Sequence, residues 1–365
     1  MIPFVDLKRQ HALLKAELMA AAERVIDGST FILGPEGRAL EGELADVCGA
    51  RHGVGVGSGT DALRLALTAL GVTAGDEVVT AAFSFVASAT TIVMAGARPV
   101  FVDVDRETLT LDVHLLEAAV TTRTKVIMPV HLYGHPAAMD RITALARARG
   151  VAVLEDAAQA VGATWQGRPI GGWGDAGCLS FYPTKNLGAC GDAGMLVTTR
   201  DDVAERVRRL RHHGDSGRYH HVELGYCTRL DELQAALLRV KLRCLREWEE
   251  RRRAIAVEYL EGLANLPVEL PVERPGARHV YHLFTVRHPR RDALVKALAD
   301  LGVGTAVHYP LPVPGQPLFD EDGESRWPEA WRAAREVVSL PCFPEMTAAE
   351  VSGVIDAVRR ACKAL

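Results

Sequence analysis

The chain has 365 residues, 48% of them hydrophobic and 24% charged, with a formal net charge of −4. That length predicts about two domains, and the slightly acidic balance offers no field for nucleic acid or an anionic membrane. Seven cysteines without a CxxC pair point to free thiols in a reducing cytoplasm; no apolar run reaches the ~18 residues of a membrane span, and the N-terminus lacks the order of a signal peptide.

Residues 7–27 read as an amphipathic helix, with Leu13, Leu14, Leu18, Ala21 and Val25 near helical spacing. Gly34-Pro35 opens a second helix and Gly49 closes it. From His52 the pattern alternates. A short strand runs into glycines at 52–59, and strands are expected at 77–81, 99–102, 125–130, 151–154, 178–182 and 195–199. Helical patterns at 60–70, 84–94, 111–120, 138–149 and 200–213 separate most of them. Such alternation predicts a largely parallel sheet covered by helices on both faces.

Residues 212–229 are polar and histidine-rich and read as a long functional loop. A helical pattern at 230–259 runs on without a breaker and links the large unit to a smaller one. In the remainder, strands are expected within 279–289 and 302–310, and helices at 292–301 and 348–365. The run 309–317 carries four prolines and cannot be central sheet. The expected division is a large domain over 1–245, N-terminal helices included, and a smaller α+β domain over 246–365.

Three features carry chemistry. Gly57-Ser58-Gly59-Thr60-Asp61-Ala62 joins a strand to a helix, and free amides at a helix N-terminus bind phosphate. It fits the GxGxxA form of a dinucleotide fingerprint, but the following strand lacks the terminal acid that a ribose needs; the ordinary alternative is a simple cap by Ser58 or Thr60. Asp156 ends the strand at 151–154, where parallel sheets bind ligands. Lys185 lies on a loop with Gly188, Gly191 and Gly194 between two apolar strands, a setting that desolvates an amine and makes it nucleophilic. Lysine, strand-end aspartate and phosphate donors together match the needs of pyridoxal 5′-phosphate (PLP). The histidines 212, 213, 220 and 221 lack metal-ligand spacing, and no metal is expected.

The blocks SGTDALRLAL, GDEVVTAAFSFVASA, PVHLYGHPAAMD, VLEDAAQAVGA, LSFYPTKNLGACGDAGM, RLDELQAAL and LPCFPEMT, spread over nearly the whole chain, resemble the DegT/DnrJ/EryC1/StrS family of PLP-dependent sugar aminotransferases. The resemblance implies an α/β fold of fold-type I: a large domain with a mostly parallel seven-stranded sheet flanked by helices, plus a smaller C-terminal α+β domain. It implies a homodimer with shared active sites and transfer of an amino group from L-glutamate to a dTDP- or UDP-linked keto-sugar, at C3 in preference to C4. Lys185 would hold the cofactor and shuttle the proton, and Asp156 would pair with the pyridinium nitrogen. Gln159 would contact the ring or its 3′-oxygen, Phe85 would stack on it, and Thr60, the Asp61 amide and Ser180 would bind the phosphate. Arg218, Arg229, His308 and Tyr309 are substrate candidates.

Two residues depart from the family pattern. Cys227 stands in GYCTR where relatives carry an asparagine that reaches the phosphate from the partner subunit, and Pro314 stands where many carry histidine. Members that dehydrate sugars replace the lysine with histidine, so the lyase alternative is second to the aminotransferase. A non-catalytic regulatory member is the third reading, and the intact Lys185, Asp156 and Thr60 speak against it.

Overall fold

A computed structural model describes residues 1–319 and 323–365. Helix α1 (Leu7–Gly28) starts where the Asp6 side chain accepts the Lys8 amide, and α2 (Pro35–Val47) follows with proline in its first turn. The alternating region then runs β1 (His52–Val56), α3 (Gly59–Ala69), β2 (Glu77–Ala81), α4 (Ala87–Met94), β3 (Arg98–Val102), α5 (Val113–Ala119) and β4 (Thr124–Met128). It continues through α6 (Met139–Arg149), β5 (Ala152–Asp156), the small hairpin β6 (Thr164–Trp165) and β7 (Arg168–Pro169), then β8 (Ala176–Ser180), β9 (Gly194–Thr198) and α7 (Asp201–Leu210).

Seven of these strands form one sheet in the order β1-β9-β8-β5-β4-β2-β3. Strands β2, β3, β4, β5 and β8 pair in parallel, and β9 is antiparallel to both neighbours. Successive residues of a strand point to opposite faces, and both faces are dry. Val78, Val126 and Leu154 pack with α3 and α7 on one side; Val79, Ile127 and Val153 pack with α2 and α6 on the other. This is the mostly parallel, helix-flanked α/β sheet that the sequence predicts.

The linking helix departs from expectation. It is two helices, α8 (Glu232–Leu242) and α9 (Leu245–Leu263), broken at Arg243 and Cys244. No glycine or proline marks the break, because packing imposes it: α8 is held by α1 and α2, whereas α9 lies against the C-terminal helix. After β10 (Ala277–Arg278) come β11 (Phe284–Arg287), α10 (Arg291–Asp300), α11 (Pro328–Glu336), β12 (Val337–Leu340) and α12 (Ala348–Ala364). Strands β11 and β12 pair antiparallel, and their apolar side chains Phe284, Val286, Val338 and Leu340 pack with Tyr259, Leu298, Val354 and Val358 in a second core.

The expected strand within 279–289 covers only Phe284–Arg287. The residues before it turn toward the large sheet instead, where the Val280 and Leu283 amides donate to the Gly134 and Tyr133 carbonyls. The expected strand at 302–310 is not one. It makes isolated bridges, Val303 to Ile2 and Ala306 to Ser339, and its last residues wall the cavity described next. No helix is long and apolar enough to cross a membrane among the described residues, and none of the seven cysteines is disulfide-bonded.

Candidate active site

The C-terminal ends of β5 and β8, the N-terminus of α3 and the loop after β8 open into one cavity of about 670 Å³. Its walls include Thr60, Phe85, Asp156, Gln159, Ser180 and Lys185. His308 and Tyr309 line it from the C-terminal part of the chain. Eight of the residues expected from sequence therefore meet in one place, although they are spread from position 60 to position 309.

The α3 N-terminus is built for an anion. Ser58 is the N-cap, its Oγ accepting the Asp61 amide at 3.0 Å. Of the two expected caps, Ser58 takes the role, and Thr60 Oγ1 has no protein partner among the described residues. The Gly59 and Thr60 amides lie in the first turn and have no acceptor within the helix. A Cβ on Gly59 would lie 2.7 Å from Ser180 Cβ, and one on Gly194 would lie 2.2 Å from the Ser58 carbonyl carbon. Only glycine permits that close approach of β8, β9 and the helix start.

Asp156 is buried, its Oδ2 accepting from Ser88 Oγ at 2.7 Å and its Oδ1 from the Ala158 amide at 3.2 Å. Burial raises its pKa above the ordinary carboxylate value, with the Ser88 hydrogen bond opposing. Lys185 Nζ has no hydrogen-bond partner among the described residues. Burial brings its pKa down to about 8, against the opposing pull of the Asp156 charge. Gln159 is fixed at both ends, Oε1 accepting the Tyr133 amide at 2.7 Å and Nε2 donating to the Tyr309 hydroxyl at 3.1 Å. The Phe85 ring is half exposed at the cavity wall, 5.8 Å from the Tyr309 ring. Burial holds His308 down to about 4 and His282 well below the ordinary histidine value, so both are neutral donors or acceptors near neutral pH.

Four expected residues stand elsewhere. The Asp61 amide is engaged by the cap, and its carboxylate binds Ser58 Oγ at 2.9 Å and Arg64 at 2.8 Å. Cys227 and Arg229 bind each other at 2.9 Å, with Arg229 also 2.9 Å from His212 Nδ1. Arg218 is exposed on the same loop. None of these lines the cavity of this chain. No cluster of metal-ligating side chains occurs among the described residues.

Sequence reasoning missed Ser88, which holds Asp156, and three further wall residues, Tyr182, Arg252 and His282. Ser88 sits in a run of small residues with no local signal. Arg252 looks like part of a solvated charge run, EERRR, yet it is buried.

The donor set fits PLP on three counts: a desolvated unpartnered amine, a buried carboxylate beside it, and a glycine-lined helix start with a free hydroxyl. Residues 13–359 match the DegT/DnrJ/EryC1/StrS aminotransferase family. The chain is 47% identical over 98% of its length to a pleiotropic regulatory protein of Geobacillus stearothermophilus, covering 97% of that protein. It is 45% identical to the UDP-N-acetyl-3-dehydro-alpha-D-glucosamine 3-aminotransferase of Acidithiobacillus ferrooxidans, over 98% of this chain and 97% of that one. Among solved structures, S. venezuelae DesV in complex with a ketimine intermediate superposes with a TM-score of 0.97, at 46% identity, over 99% of this chain and 98% of that chain.

Proposed function

The chain belongs to the DegT/DnrJ/EryC1/StrS aminotransferase family, and from that premise we propose that it is a PLP-dependent enzyme of amino-sugar biosynthesis. In this reading it moves an amino group from L-glutamate to C3 of a nucleotide-linked keto-sugar. The observation that carries the reading is the unpartnered Lys185 amine, lowered to about 8 and sharing a cavity with the Asp156 carboxylate. The name of the 45% identical A. ferrooxidans relative supports C3 and a uridine diphosphate sugar; a thymidine diphosphate sugar remains the alternative nucleotide.

PLP, when bound, supplies an electron sink for the carbon that loses its proton. The chain's own groups do the rest. The α3 N-terminus and the hydroxyls of Thr60 and Ser180 hold the phosphate. Asp156 keeps a proton on the ring nitrogen, because a nearby carboxylate raises the pKa of a base. Gln159 is braced by Tyr133 and Tyr309, and Phe85 lies against Tyr309 at the same wall; Gln159 and Phe85 would hold the ring. Lys185 Nζ takes the proton from the α-carbon of the amino donor and delivers one in the second half of the exchange. An amine with a pKa near 8 suits both directions close to neutral pH.

The regulatory reading, for which one relative is named, leaves Lys185 and Asp156, buried in one cavity, without a task. The arginines of the loop at 212–229 lie outside this chain's cavity, and a homodimer in which each loop completes the partner's site gives them one.

The test is incubation with L-glutamate and a panel of 3-keto and 4-keto dTDP- and UDP-sugars, with products read by mass. We expect 2-oxoglutarate and a 3-amino sugar, both absent with Lys185→Ala. Amination of 4-keto sugars alone overturns the C3 assignment, and dehydration without nitrogen transfer overturns the aminotransferase reading.

A further inference from the structure

One polar side chain of the cavity wall is held firmly and has no task in the reading above. His282, just before β11, is 8% exposed and lines the same cavity as Lys185. The backbone around it is pinned, the Val280 amide donating to the Gly134 carbonyl and the Leu283 amide to the Tyr133 carbonyl. The ring is pinned as well. Its Nδ1 lies 3.2 Å from Oδ1 of Asn186, the residue that follows Lys185.

The tautomer follows from these neighbours. Asn186 Nδ2 donates to the Val280 carbonyl at 3.1 Å. A carbonyl only accepts, so the amide nitrogen faces Val280 and Oδ1 faces the imidazole. Oδ1 only accepts too, so Nδ1 carries the ring proton and Nε2 is a bare lone pair. Burial first, and then the charges of Lys185 and Arg252, keep the ring neutral. Nε2 has no protein partner among the described residues. Atoms sealed away without a partner do occur at this wall, Arg252 Nε for one, but His282 Nε2 is not among them. It opens on the cavity.

An acceptor in so dry a place costs free energy until a hydrogen reaches it. L-Glutamate has none to spare, because its carboxylates only accept and its ammonium is the group transferred. A keto-sugar does, on the carbons that flank its carbonyl. Lys185 delivers its proton to that carbonyl carbon, and the lysine's charge is felt at the imidazole. A hydrogen held by Nε2 therefore belongs to the same part of the sugar.

We propose that His282 Nε2 accepts the hydroxyl or amide N–H borne by a carbon next to the keto group, and so selects sugars that keep this donor over their deoxy counterparts. This rests on the aminotransferase reading. The two fail differently: no nitrogen transfer to any keto-sugar removes that reading and this one with it, whereas transfer indifferent to His282 removes only the selection.

The experiment takes the keto-sugar nucleotide that the holoenzyme accepts, with two counterparts that lack the hydrogen donor on one or the other side of the keto carbon. Wild type is compared with His282→Leu, which removes the lone pair, and His282→Gln, whose amide oxygen restores an acceptor. For His282→Leu we expect kcat/KM with the parent sugar to fall about 5- to 10-fold, the weight of one neutral hydrogen bond. His282→Gln should recover most of that loss. The penalty should disappear with one of the two deoxy sugars. An equal loss with all three sugars, or no loss with any, overturns the proposal. Should the variants not fold, a crystal structure of the wild-type holoenzyme with the aminated sugar nucleotide decides: a sugar O–H or N–H on Nε2 supports the assignment, and a water or no donor there overturns it.

Discussion

Lys185 and Asp156 set each other's chemistry. Burial alone drives the lysine toward its neutral form and the aspartate toward its protonated form, and each charge resists the shift of the other. Asp156→Asn keeps the shape and removes the charge. The sign follows: without the carboxylate pulling upward, Lys185 titrates below about 8. The pH profile of its modification by an amine reagent, in the cofactor-free protein, reads this directly. Turnover should fall by about 100-fold or more, if a few kcal/mol of ring-nitrogen stabilisation is lost at ~1.4 kcal/mol per tenfold. An aspartate that only satisfied Ser88 and the Ala158 amide would leave turnover and the lysine titration nearly intact.

Element boundaries show how distant residues complete local signals. The N-terminus of α2 is opened by Gly34-Pro35, but its amides are satisfied by Glu232, whose carboxylate accepts from Gly34 and Gly37 at 2.8 Å and Glu36 at 2.7 Å. Helix α9 carries the opposite case. Glu249 is buried there with Oε1 unpaired, against the turn at Gly162. Burial raises its pKa from 4.5 to about 8, so between those values the folded chain holds a proton that the unfolded chain has released. Stability from this site is therefore full below pH 4.5 and falls as pH rises toward 8. Glu249→Gln removes the ionisation. Its unfolding free energy should match wild type near pH 4.5 and exceed it increasingly up to pH 8, by on the order of a few kcal/mol. A difference that stays flat with pH, followed by calorimetry, removes ionisation as its cause.

At the scale of the molecule, apolar surface is left open. Leu13, Met19 and Ile26 on α1, and Phe31 just after it, are more than half exposed, as are Tyr219, Val222 and Leu224 on the loop at 212–229. In the dimer proposed above, this surface would lie at the subunit interface. The 39.5 kDa chain should sediment as a dimer. Mixing inactive Lys185→Ala with an inactive Arg218→Ala/Arg229→Ala double variant tests whether the loop crosses. A shared site restores about a quarter of the activity in the mixture, since half the dimers carry one intact site. A site complete within one chain restores none.

Chain order and hydrophobic period were enough for the seven strands and their helices, because alternation of short apolar runs with helical faces leaves a parallel sheet as the way to bury both. The positions of Lys185, Asp156 and Thr60 were legible for the same reason: Asp156 ends a strand, Thr60 starts a helix and Lys185 sits on the glycine-rich loop between two strands, all of which follow from local pattern. The break at Arg243 and Cys244, the Glu232 cap, Ser88 beneath Asp156 and the buried Arg252 were not. Nothing near them in the chain distinguishes them from ordinary surface or small-residue positions. Their roles come from partners tens to hundreds of residues away, and only the tertiary fold supplies the burial that turns a common serine, glutamate or arginine into part of a site.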